Sequence, residues 1–204
     1  MGKYILVISG AIGAGKSTML ELLADYLKRN RVCFAVVPEY LEGMTSGRAM
    51  LNEWTQGRIT LTEFNHYIMD SCDTLNKQAK DYPIRILERA PVENAWVFGN
   101  KDPTLLLQAH NIHHKYNIPL VTTPECFVSI LNANLEAEKV FEDVLNIVKQ
   151  DLEHEVPSRV IYLRISAQTS WNRVNVRGRK EEKTYTEEYL RSIVQKYEDL
   201  FFGR

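Results

Sequence analysis

Cysteine is scarce in this 204-residue sequence. Cys33, Cys72 and Cys126 are odd in number and far apart. No CxxC pair or Cys/His cluster has the spacing of a zinc site, and the pattern fits a reducing compartment. An excess of charge of one sign is also lacking. The formal net charge is −1, which argues against a broad nucleic-acid surface. Long apolar runs are missing too, and none approaches the ~18 residues of a membrane span. The first apolar run, Tyr4 to Ile8, ends in a glycine-rich stretch, so it is expected to be a core strand and not a signal peptide. There are no repeats, low-complexity tracts or interdomain linkers. What remains is 45% hydrophobic and 25% charged residues. That is ordinary globular composition, enough for one good core and short for two. The expectation is one domain over residues 1–204, soluble and cytoplasmic, with no membrane or nucleic-acid partner.

The most informative stretch is Gly10-Ala11-Ile12-Gly13-Ala14-Gly15-Lys16-Ser17-Thr18. It fits the phosphate-binding loop G-x-x-x-x-G-K-[ST], with an apolar strand before it and a helical pattern after it. The glycines let backbone N–H groups face a polyanion, and the helix N-terminus adds partial positive charge. Lys16 would reach the terminal phosphates and Ser17 would ligate Mg²⁺. The expected ligand is a nucleoside triphosphate.

Hydrophobic periodicity supplies the frame. Tyr4 to Ser9 is continuously apolar, as a buried parallel strand is. A helix over about Lys16 to Asn30 places Leu20, Leu23, Ala24 and Leu27 inward. Val32 to Val37 is a second strand, and this strand–helix–strand unit implies a parallel sheet. Residues Glu42 to Gly57 read as irregular or short-helical, and Leu61 to Lys80 as a long helix. Ile84 to Leu87 is a third strand, followed by helices over about Pro91 to Asn100 and Pro103 to Tyr116. Pro119 to Thr123 could be a strand or an extended connection. His110 and His114 fall on one face of the preceding helix, but no third ligand accompanies them, so a solvated face is expected there. Leu135 to Leu152 reads as a helix, Arg159 to Ile165 as a fourth strand, and Tyr185 to Phe202 as the closing helix.

Ligands of open α/β sheets bind beyond the carboxyl ends of the strands. Glu39 follows the second strand, and Glu88-Arg89 follows the third. After the fourth comes a helix leading into Arg173, Arg177, Gly178 and Arg179. Guanidinium forks gathered there without apolar neighbours suit clamping a transferring phosphoryl group. Together these features describe a phosphotransferase. A hydroxyl acceptor needs a base, whereas a phosphate acceptor needs extra cations.

These motifs, in this order, resemble those of the deoxyribonucleoside kinases. Gly10 to Thr18 looks like the family's phosphate loop, and Val37-Pro38-Glu39 is similar to its Glu-Pro-Val region. Glu88-Arg89 looks like its Glu-Arg-Ser. Arg173-x-x-x-Arg177-Gly178-Arg179-x-Glu181-Glu182 resembles its lid. The resemblance covers most of the chain and is weakest from Asn100 to Glu155. It implies a P-loop kinase fold, a three-layer α/β/α with a central parallel sheet and an arginine-rich lid around 173–183. It also implies ATP and Mg²⁺ as cofactors and a homodimer. By this resemblance Glu39 is the general base for a nucleoside 5′-hydroxyl, Arg89 orients it, and Glu88 helps Ser17 with Mg²⁺. Arg173, Arg177 and Arg179 embrace the phosphoryl group, with Lys16. Glu182 meets the sugar 3′-hydroxyl, Phe98 stacks on the base, and Phe64-Asn65 falls where the family has Phe-Gln. Trp54 falls near a sugar-contacting tyrosine.

Several positions depart from the family pattern. Ala90 replaces the serine of Glu-Arg-Ser. Cys72 and Asn94 stand near the arginine and aspartate of deoxycytidine-type enzymes, which argues against that specificity. Family members continue past the last helix into a fifth strand and a loop around adenine. Here the sequence ends at Arg204, so an edge comes from elsewhere (Leu120 to Thr123 is a candidate), the lineage dispenses with it, or the chain is cut short. Two alternatives stay open: a thymidylate-type nucleotide kinase, and a catalytically weak nucleotide-binding accessory protein.

Overall fold

Every residue of β1 (Tyr4–Gly10) is buried. The strand pairs in parallel with β3 (Ile84–Glu88) on one side and β5 (Ser158–Arg164) on the other. A strand flanked on both edges and covered on both faces must be apolar throughout, which explains the run from Tyr4 to Ile8. β2 (Phe34–Val37) lies outside β3, and β4 (Val128–Asn132) outside β5. The five-stranded order is therefore β2-β3-β1-β5-β4, parallel throughout. This is a computed structural model and it describes residues 3–203, with the side chain of Glu181 outside the description.

Helices cover both faces. α1 (Lys16–Arg29) buries Met19, Leu20, Leu23 and Leu27 and packs beside α6 (Ala137–Glu153), which contributes Val140, Val144 and Val148. Separate from this pair is the group α3 (Leu61–Ala79), α4 (Pro91–Glu93), α5 (Pro103–Tyr116) and α8 (Glu187–Phe202). α2 (Gly47–Thr55) leans on α3, and α7 (Ala167–Arg177) on α8. At the start of α3, Thr60 and Glu63 satisfy each other's backbone N–H groups, a reciprocal cap that fixes where the helix begins. The fold is thus the expected α/β class, with a parallel central sheet. No helix among the described residues is long and apolar enough to cross a membrane.

Two expectations need correction. The edge strand is Val128–Asn132 and not Leu120 to Thr123, which is a turn closed by Thr123 N–H donating to Leu120 O at 3.0 Å. An edge strand is covered incompletely, and none of the five residues of β4 is fully buried. It therefore lacks the apolar run that marks the inner strands. The expected helix from Pro91 to Asn100 is three α-helical residues followed by a π-helical turn, Asn94–Phe98. The expected solvated face holds for His110 and His114, which are both exposed, while His113 beside them turns inward. His113 is buried, accepting from Val92 N–H through Nε2 at 3.1 Å while Nδ1 meets Ile118 O at 3.1 Å. Burial pushes its pKa down to about 4, so it is a neutral pin between α5 and α4. No group of three or more His, Cys, Asp or Glu poised to hold a metal occurs among the described residues.

Candidate active site

The carboxyl ends of β1, β2 and β3 open into one cavity of about 440 Å³. β1 leads through the phosphate loop into α1, with Gly13 at φ 81° and Gly15 at φ 90°. Those left-handed values favour glycine. A Cβ at Gly13 would also sit 3.2 Å from the Ser170 carbonyl oxygen of α7, so the loop is seated closely on that helix. Lys16 is buried and, without a phosphate, donates to Ala11 O at 3.0 Å. Burial, reinforced by the Arg89 charge, pulls its pKa down to about 8. An arriving polyanion favours the charged form further.

Ser17 Oγ donates to both oxygens of Glu88, at 3.1 and 3.3 Å. A hydroxyl and a carboxylate side by side are hard oxygen ligands. Mg²⁺ commonly takes one or two such protein groups and completes its shell with phosphates and water. Ser17 and Glu88 therefore fit that ion.

Arg89 is the most constrained residue of the site. Its φ of 69° is left-handed, which costs a non-glycine residue about 1–3 kcal/mol. Two backbone bonds hold it there. Its N–H donates to Ile8 O at 3.1 Å, and the Tyr40 hydroxyl donates to its carbonyl at 3.0 Å. The guanidinium pairs with Glu39 through Nη1 and lies 4.8 Å from the centroid of the Phe98 ring. Burial opposes ionisation of Glu39. Arg89 first, then Lys16, Arg179 and Arg177, outweigh it and hold the carboxyl below its usual range.

Glu93, which the sequence did not single out, supports this corner from behind. It is buried and accepts from Ser9 Oγ at 2.6 Å, Ala90 N–H at 2.8 Å and the Tyr197 hydroxyl at 2.9 Å. Ala90 brings no side-chain hydroxyl to this turn; Glu93 caps it instead. The signal was available in Ala90-Pro91-Val92-Glu93, a proline at the first helical position with an acid two residues on.

Opposite this corner the cavity wall is aromatic and amide. Trp54 and Phe64 stack with centroids 5.2 Å apart and planes 10° apart. Asn65 is buried beside them, and Phe98 lies across the cavity. Asn94 also lines it, and its Nδ2 is buried with no partner among the described residues. The π-helical turn carries both Asn94 and Phe98, and such turns often sit at functional sites. Tyr185 and Tyr189 line the cavity too.

The arginine-rich segment closes the site from β5. Arg177 pairs with Glu182, and Arg179 Nη1 reaches Glu42 at 3.2 Å. Arg177, Arg179 and Glu182 face the first cavity. Arg173 does not: it lines a second one and donates to Gly13 O at 3.2 Å and Leu135 O at 3.3 Å.

Residues 127–202 match the family model described as deoxynucleoside kinase. That span holds β4, α6, β5, the lid and α8. The match covers the C-terminal part of the chain. Among solved structures, deoxyadenosine kinase from M. mycoides with bound dATP is similar at 21% identity. The similarity covers 97% of this chain and 84% of that one, with a TM-score of 0.56. The same enzyme with the products dCMP and a flexible dCDP bound is 20% identical, with 97% and 83% covered and a TM-score of 0.57. At that identity the likeness shows the fold. No curated protein matches the chain. The phosphate loop, Glu39, Glu88, Arg89, Arg177 and Arg179 line one cavity at the same sheet edge.

Proposed function

We propose that this protein, as a single kinase domain, transfers the γ-phosphoryl group of ATP to the 5′-hydroxyl of a deoxyribonucleoside. The observation that carries the proposal is the ionised, part-buried Glu39–Arg89 pair, which lines one cavity with Lys16. A carboxylate held in its charged form suits a base for a hydroxyl acceptor. It would instead repel an acceptor phosphate. Against a thymidylate-type acceptor, the cavity offers Arg48 as a further cation, but Glu21, Glu39, Glu42 and Glu88 line the same space.

The 5′-oxygen gives its proton to Glu39 and bonds to the γ-phosphorus. The bond from that phosphorus to the β–γ bridging oxygen breaks, leaving ADP and the 5′-monophosphate. Arg89 orients Glu39. Lys16, Arg177 and Arg179 are placed to balance charge on the moving group. Mg²⁺, held by Ser17 and Glu88, supplies neutralisation of the phosphate oxygens when bound. Trp54, Phe64, Asn65 and Phe98 bound the space for the nucleoside, and Glu182 the sugar side. The known neighbours were solved with deoxynucleotides bound, which is consistent with such a pocket.

The test is a panel of deoxynucleosides and their monophosphates with ATP and Mg²⁺, scored by ADP release. Turnover of at least one nucleoside is expected. Turnover of monophosphates alone would overturn the proposal, and turnover of neither would favour an accessory role. Sedimentation of the purified chain tests the homodimer that the resemblance implies.

A further inference from the structure

Two neighbouring residues of α8, Lys196 and Tyr197, are both spent on the same short stretch of chain. The Tyr197 hydroxyl donates to Glu93 Oε2 at 2.9 Å. Lys196 Nζ donates to Val97 O at 3.1 Å and to Asn100 Oδ1 at 2.6 Å. Glu93 stands directly before the π-helical turn Asn94–Phe98, and Val97 and Asn100 stand at its far end. One step of one helix therefore grips the turn at both ends.

We propose that Glu93, Tyr197 and Lys196 are positioning residues for phosphoryl transfer, holding this turn so that Arg89 and Phe98 keep their places in the acceptor cavity. The proposal rests on the nucleoside kinase reading given above. Three observations support it. First, the turn needs holding. It closes with Gly99 N–H donating to Asn94 O at 2.7 Å, the wider ring of a π-helix, which is rare outside single turns. Asn100 at φ 51° and Lys101 at φ 60° follow it. Left-handed backbone at consecutive non-glycine residues is costly and persists only where its surroundings over-determine it.

Second, both ends of the stretch bear on Arg89. Glu93 Oε1 accepts from Ala90 N–H, the residue after Arg89, at 2.8 Å. At the other end the Phe98 ring has its centroid 4.8 Å from the Arg89 guanidinium carbon. Third, the two ends are built for different work. Glu93 and Tyr197 are buried, and Ser9 Oγ, just before the phosphate loop, adds a donor to Glu93 at 2.6 Å. A buried polar network with its partners in place is rigid, so this end fixes the arginine that orients Glu39. Lys196 is half-buried and lines the cavity beside Val97, Phe98 and Asn100. That end fixes the ring that bounds the nucleoside.

Kinetics and amide hydrogen exchange of purified variants test the clamp. Lys196→Met keeps the stem and loses the donors. It should raise the nucleoside KM about tenfold, the scale of one hydrogen bond from a charged group, with kcat nearly unchanged. Lys196→Arg, which still donates, should recover most of that loss. Tyr197→Phe keeps the ring stacked on Tyr162 and removes one donor to Glu93. It should lower kcat about tenfold, again the scale of one such bond, with the nucleoside KM nearly unchanged. In both variants the amides of 94–101 should exchange faster than in wild type, while α6, outside this helix group, exchanges as before. Unchanged exchange at 94–101 in both variants overturns the proposal. Faster exchange with wild-type kcat and KM overturns it too, leaving the clamp a matter of stability alone. The two proposals fail separately. Faster exchange in a protein that phosphorylates no nucleoside keeps the clamp and removes the acceptor. Nucleoside turnover with unchanged exchange does the reverse.

Discussion

Two ion-pair groups face each other across the acceptor cavity, and they are built differently. Glu39–Arg89 is deep, with the Arg89 side chain 7% exposed. It is braced by a left-handed backbone, by Tyr40, by Phe98 and, one residue on, by Glu93. The lid pair Arg179–Glu42 is shallow, with side chains 38% and 36% exposed, and Arg177–Glu182 is intermediate, at 35% and 10%. Breaking a buried pair leaves an uncompensated charge and costs several kcal/mol, while an exposed pair is worth about 0–1 kcal/mol. The first group is therefore a fixed fixture, and the second can exchange its carboxylates for phosphate at little cost. The proposed phosphoryl transfer calls for this division: a base already in place, and a clamp that opens for substrate and product.

The sharpest way to break the comparison is Glu39→Gln. Removing the base should lower kcat by about 10²–10⁴, the usual share of a general base. Near-normal turnover would take Glu39 out of the chemistry and leave the buried pair as structure.

His113 tests the foundation beneath Arg89, since it accepts from Val92 in the turn that follows. Its folded pKa is depressed to about 4 from about 6.5 unfolded. The unfolded state therefore takes the proton first as pH falls. Stability should be fully present above about pH 6.5 and lost by up to about 3 kcal/mol between there and about pH 4. Denaturant melts across that range should show this slope, and His113→Gln should flatten it.

Arg89→Met sharpens the electrostatics. Arg89 is the leading cause that holds Glu39 ionised. In the wild type the acid limb of the kcat profile should lie below the ordinary carboxylate range of about 4.3. In Arg89→Met the residual activity should lose its acid limb at higher pH. A limb at the same pH in both proteins would mean that another group controls it.

The smallest effect belongs to the lid. Glu42→Ala should change stability by no more than about 1 kcal/mol, read as a nearly unchanged melting temperature. A drop of several kcal/mol would make the lid as fixed as the wall opposite.

Much of the site was legible because its signals are local. A phosphate loop is one short run, and charges that directly follow apolar strands must lie at the carboxyl edge. That logic puts Lys16, Glu39, Arg89 and Arg177 at one sheet edge, where the structure has them lining one cavity. β4 escaped it because its five residues are interrupted by Ser129 and none is fully buried. Glu93 and His113 escaped it because burial is a property of what packs around a residue. A carboxylate three residues from Ala90 and an imidazole on α5 give no sign in sequence of Ser9, Tyr197 or Val92 nearby.

By itself, then, the sequence determined the strands other than β4, most of the helices, the phosphate loop and the set of charges offered to one sheet edge. All of these depend on period and adjacency along the chain. The tertiary structure alone decided which carboxylate pairs with which arginine, that Arg89 is held left-handed, and that Arg173 faces away from its lid partners onto a second cavity beside β4. Those choices are made by groups far apart in sequence, and only packing brings them within hydrogen-bonding reach.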